Sequence, residues 1–117
     1  MKQIQWLDDV EAHDYDAAYS YLNLAFDDEF CAAVVKKLRA APITRTKAKD
    51  IIRMSGDVPL TAKDHAVAHD LEKMDKGTPM SPILLLRGRP VIIADGWHRC
   101  CGVLIRDPNA WIPHKIV

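Results

Sequence analysis

The sequence predicts an α+β (mixed α/β) fold, with a helical N-terminal half, about 1–77, packed on a small mixed sheet from a strand-rich core, about 78–117. Two observations predict this class. Before Gly77 the apolar residues recur at helical spacing in four segments. After it, short continuous apolar runs bounded by glycine and proline take over. The 117 residues fit a single domain. Their 49% hydrophobic content can supply one core, since a chain of this size buries roughly two-thirds of its unfolded surface.

The first helix lies in "HDYDAAYSYLNLAF", where Tyr15, Ala18, Tyr19, Leu22 and Phe26 share a face and Asp14 is available as a cap. "DDEFCAAVVKKLRAA" gives the second, capped by Asp27 or Asp28 and buried through Phe30, Val34 and Leu38. Its last turn is basic, and Pro42 lies just beyond. A short third helix runs from a Thr46 cap to a Gly56 stop. In the fourth, Thr61 and Asp64 resemble a capping box, Val67, Leu71 and Met74 form the buried stripe, and Gly77 ends it. Two strands follow, Ile83–Leu86 and Val91–Ala94, around an Arg87–Pro90 turn. "GWHRCCGVLIRD" is a helix closed before Pro108, and "IPHKIV" a last strand, expected at a sheet edge because of Pro113.

Bulk properties exclude several roles. Sixteen basic and sixteen acidic residues give zero formal net charge, which does not favour sequence-independent nucleic-acid binding, although a local basic patch is compatible with it. Cys31, Cys100 and Cys101 are odd in number, two are adjacent, and no CxxC spacing suggests zinc. "MKQIQWLDDV" lacks a signal-peptide core, and no apolar run approaches the ~20 residues of a membrane span. A reduced, cytoplasmic protein without membrane attachment is the expectation.

The stretch "IADGWHRCCG" carries the candidate chemistry. A buried strand reaches its carboxyl end, where open α/β sheets bind ligands, and Gly96 permits a sharp reversal. The helix that opens next presents unpaired amides at a positive end, which suits an anion. Arg99 adds a planar fork for phosphate oxygens, and His98 a hydrogen-bond donor beside it. The alternative is a tight turn with Arg99 paired to a carboxylate. Asp95 fits three roles: a ribose ligand, a metal ligand beside phosphates, or a helix cap.

"PILLLRGRPVIIADGWHRCCG" resembles the ParB/sulfiredoxin superfamily over about Val67 to Val117: a Pro-Ile strand, a short turn, a second apolar strand, then Gly-x-x-Arg opening a helix. The resemblance implies that this corner holds the phosphates of a nucleotide, as for CTP in partition proteins and ATP in sulfiredoxins. The implied ligand is a nucleotide or other phosphorylated small molecule, such as a nucleoside triphosphate with Mg. Asp95, Gly96, Trp97, His98 and Arg99 would form the site. Sulfiredoxins carry their reactive cysteine where Trp97 stands, so sulfinic-acid reduction is not expected. Partition proteins continue into a helix-turn-helix domain, for which the sequence leaves no room, so a DNA-segregation clamp is not expected either.

Other residues admit two readings each. Lys47 and Lys49, in the expected first turn after Thr46, oppose the helix dipole unless an anion is near. With Lys76 they are candidates for supporting charge at the phosphate site, or else solvated lysines. Cys100 and Cys101 are replacement thiols or, as favoured, packing residues. His65 and His69 share a helix face, yet His-Ala-Val-Ala-His lacks the glutamate of a zinc-protease helix and no third ligand is evident, so no metal site is assigned. No residue stands out as a catalytic base, so turnover is not assigned. The rival functions are a DNA-associated, nuclease-like accessory protein and a non-enzymatic interaction module using Trp6, Tyr15 and Tyr19.

Overall fold

The structure is a computed structural model that describes residues 3–117. Met1 and Lys2, which head the segment read above for a signal peptide, lie outside the described residues. The elements are α1 (Ala12–Leu22), α2 (Asp28–Ala40), β1 (Thr44–Lys47), α3 (Ala48–Ser55), α4 (His65–Lys76), β2 (Ile83–Leu86), β3 (Ile92–Asp95), α5 (Trp97–Arg106) and β4 (Trp111–Ile116). The class is α+β, as the sequence predicts. One mixed sheet runs in the order β1-β4-β2-β3, with β1–β4 and β2–β3 antiparallel and β2–β4 parallel.

Strand alternation sorts the apolar residues onto the two sheet faces. Ile83, Leu85, Ile93 and Ile112 pack with Ile51, Ile52, Val67, Met74, Cys100 and Val103 from α3, α4 and α5. Leu84 and Ala94 face the other way, onto Tyr15, Ala18 and Leu22 of α1 and Val34 and Leu38 of α2. The second layer is tied to the sheet by Lys115, whose buried Nζ donates to the Tyr15 hydroxyl (2.9 Å) and the Arg39 carbonyl (3.0 Å).

Several expectations hold in detail. Asp27 caps α2 by accepting the Phe30 N–H, and Gly56 and Gly77 end α3 and α4 in the left-handed conformation. β3 feeds directly into α5, and β4 returns to the same sheet.

Others are corrected. Asp14 is not a cap, because α1 starts at Ala12 and places it on the buried face beside Tyr15 and Ala18. Phe30 is exposed, and Cys31 and Val35 join the buried face of α2 instead. Thr46 does not cap α3 but lies in β1, where Thr44 and Thr46 meet the two ring nitrogens of His114 (3.3 and 2.8 Å). Pairing with β4 overrides the local capping signal there. Asp64 alone caps α4, accepting from Ala66 and Val67, while Thr61 shapes the turn before it. Finally, β4 is interior to the sheet. Pro113 is tolerated because pairing with β2 begins one residue later, opposite His114, so at the proline only β1 flanks the strand.

Candidate functional site

The corner between β3 and α5 is held by close packing. Gly96 has φ +106°, in the region that favours glycine, and a Cβ there would lie 2.4 Å from Ile83 Cγ2. The glycine seats the corner on β2. No side chain caps α5, so its first amides keep their positive end open.

Arg99, in the first turn of α5, folds back onto the corner. Its Nη2 donates to Asp95 Oδ2 (2.7 Å), and its Nη1 to the Ser81 carbonyl (2.8 Å) and Asp14 Oδ2 (3.3 Å). The side chain is only 15% exposed. His13 Nε2 stands 3.2 Å from the second oxygen of Asp14, which extends the network to solvent. Asp95 therefore does not cap α5; its carboxylate is held by Arg99. Burial pushes the Asp95 carboxyl up to about 6, opposed by the Arg99 charge and reinforced by the nearby Asp14 charge. Burial likewise raises Asp70, on the inner face of α4.

Two cavities flank the corner, and Asp95, Gly96, Trp97 and His98 line both. The larger, about 670 Å³, runs along β3 from Pro90 to the start of α5. Its far wall is Tyr21 of α1 with Ser55, Asp57, Val58 and Leu60. The smaller, about 310 Å³, is strongly polar, and brings His13, His69, Asp14, Asp70 and Lys73 near Arg99. His98 is exposed at the shared rim, with Nε2 4.0 Å from the Asp64 carboxylate that caps α4.

The sequence-predicted residues divide accordingly. Asp95, Gly96, Trp97, His98 and Arg99 are brought together; Lys47, Lys49 and Lys76 are not among the residues lining either cavity. Lys47 lies in β1, at the opposite edge of the sheet, with Nζ 5.4 Å from the Trp111 ring centroid. Lys49 is exposed on α3, where its N–H reaches the Pro108 carbonyl, and Lys76 is exposed at the end of α4. Asp14 and Asp70 are the members that sequence reasoning missed. Each is a carboxylate on the apolar face of its helix, Asp14 with Tyr15, Ala18 and Leu22 and Asp70 between Val67 and Met74, and that position is the available signal.

His65 and His69 are both exposed, and no group of three or more His, Cys, Asp or Glu side chains is gathered for a metal among the described residues. Cys31, Cys100 and Cys101 are unpaired and buried. No helix among the described residues is long and apolar enough to cross a membrane. No protein-family model, curated protein or solved structure matches the chain.

Proposed function

We propose that this protein binds a small anionic ligand of the nucleotide class in the larger cleft, with its phosphate at the start of α5. The observation that carries the reading is the coincidence of a cleft of about 670 Å³ with an uncapped helix N-terminus at one end. That volume is within the usual range for a small-molecule site. The first amides of α5 and the exposed His98 would meet the phosphate. Tyr21, Val58 and Leu60 would contact the flatter organic part, and the carbonyls and amides of edge strand β3 would read its polar groups.

Arg99 is a positioning residue in this reading. Its donors already engage Asp14, Asp95 and Ser81, so it fixes the corner and reaches the ligand through that geometry. A divalent ion brought by a triphosphate would meet Asp57, the carboxylate of this cleft that Arg99 does not engage. The motif's resemblance to ParB/sulfiredoxin nucleotide corners supports the same ligand class. Three buried, unpaired thiols support a reducing, cytoplasmic setting.

The test is calorimetry and thermal shift with nucleoside triphosphates, monophosphates and inorganic phosphate, with and without magnesium. A ligand of the folded state must raise its melting temperature by mass action. Val58 is 87% exposed on the cleft wall, so Val58→Asp should leave folding intact. Its added charge should weaken an anion by roughly tenfold, about 1.4 kcal/mol. A panel in which no phosphorylated compound raises the melting temperature removes the nucleotide reading. Binding that Val58→Asp leaves unchanged places the ligand elsewhere.

A further inference from the structure

The opposite edge of the sheet carries a different kind of surface. Trp111, the first residue of β4, pairs in register with Lys47 of β1, and Arg45 lies two residues along on the same face. The Arg45 guanidinium carbon is 5.7 Å and the Lys47 ammonium 5.4 Å from the Trp111 ring centroid. Trp111 nevertheless remains 52% exposed. The ring borders a cavity of about 540 Å³, which Trp6, Arg45, Arg106 and Asn109 also line. Arg106 is paired with Asp75, and Asp107 at the same rim accepts the Asn109 N–H. Neither Arg45 nor Lys47 pairs with a carboxylate among the described residues.

Cations on an edge strand are a common defence against strand pairing, and that alone would account for Arg45 and Lys47. It does not account for a large aromatic ring left half open between them. An exposed indole beside two uncompensated cations complements a ligand that alternates flat rings with negative charges.

We propose that the β1–β4 edge docks a single strand of nucleic acid, with a base stacked on Trp111 and the adjoining phosphates met by Arg45 and Lys47. The groove beside Trp6 receives the neighbouring nucleotide. Recognition is by stacking and charge, hence tolerant of sequence. The zero net charge of the chain limits the affinity. The surface is separate from the α5 cleft and does not depend on the ligand assigned there.

The test is fluorescence anisotropy with a labelled single-stranded thymidine oligomer of about 12 nucleotides, within the size range of such sites. Saturable binding at low salt is expected, with quenching of tryptophan emission. Trp111→Ala should weaken it roughly tenfold or more, and Trp111→Phe should retain most of it, since any aromatic face stacks. Should the alanine variant not fold, the phenylalanine variant and Arg45→Gln with Lys47→Gln still decide. Removing two phosphate contacts should flatten the slope of log affinity against log salt by about 1.4. Val58→Asp, on the far cleft, should leave oligomer binding unchanged. Absence of binding at low salt, or wild-type affinity in Trp111→Ala, overturns the proposal. So does equal affinity for duplex DNA or for an acidic peptide.

Discussion

The two ends of the sheet treat charge in opposite ways. At the β3 end, Arg99, Asp95 and Asp14 are drawn inward and satisfy one another, and their positions depend on the packing of Gly96 against Ile83. At the β1 end, Arg45 and Lys47 lie beside an indole, and neither pairs with a carboxylate among the described residues. A charge paired inside is committed to shape, because removing its partner leaves a desolvated ion behind. A charge left open is available to a ligand. The conspicuous Gly-x-x-Arg of the sequence thus builds the corner, whereas Lys47, read as support for that corner, belongs to the other end.

The sharpest way to break this comparison is Gly96→Val. The new Cβ would meet Ile83 well inside van der Waals contact and would require a positive φ that a β-branched residue resists. A loss above about 4 kcal/mol in urea denaturation is expected, while Arg45→Ala at the other end should stay within about 0.5 kcal/mol. Near-equal losses would show that the corner is not packed as described.

Arg99→Ala comes next. It leaves Asp14 and Asp95 buried without their cation, which should cost about 3–5 kcal/mol at neutral pH. Arg99→Lys should restore only part, because one ammonium cannot reproduce the fork that reaches three acceptors. Acidification should narrow the deficit, since a protonated Asp95 needs no counter-charge. A deficit independent of pH would mean that packing, not charge, is what the arginine supplies.

Smaller effects separate the two ends by titration. In the folded state the Asp95 carboxyl sits near 6 against 3.8 when unfolded, so the folded protein binds that proton more tightly. Its contribution therefore becomes more favourable as pH falls from above 6 towards 3.8. His114, buried between Thr44 and Thr46, behaves oppositely. Burial, reinforced by the Arg87 charge, lowers it below 6.5, so its stabilisation is present above 6.5 and is lost as pH falls through the folded value. Urea midpoints between pH 4 and 8 should show Asp95→Asn losing a gain on acidification and His114→Gln losing a decline. Parallel curves for both variants would contradict these assignments.

The sequence made the helix stripes, the β2–β3 pair and the strand-to-helix corner legible, since each is a local pattern with its own stop signal. What it hid depends on distant partners. Thr44–Lys47 reads as the approach to a helix because its strand character comes only from β4, some seventy residues away in the chain. Pro113 suggests an edge because the short reach of β2 is invisible until the strands are paired. Asp14 resembles a cap because nothing local reveals that Arg99 will lie against it. The five residues of the corner are neighbours in the sequence, but the engagement of Arg99 by Asp14 and Ser81 depends on partners distant in the chain.

The smallest expected signal is the reactivity of the two adjacent thiols in α5. Their place in the first turns of a helix would lower a thiol pKa, and burial would raise it. Burial wins: Cys100 is pushed up to about 12 and Cys101 is also raised, and neither has solvent exposure. Iodoacetamide at neutral pH should therefore leave Cys100 and Cys101 unmodified in the native protein and label both in urea, read by intact mass. Cys100→Ala and Cys101→Ala should leave binding at either end unchanged, because both side chains belong to the core beneath α5 rather than to a cavity wall. Rapid native labelling of either would mean that the helix opens, and the paired charges of the β3 end would then be less fixed than the open ones opposite.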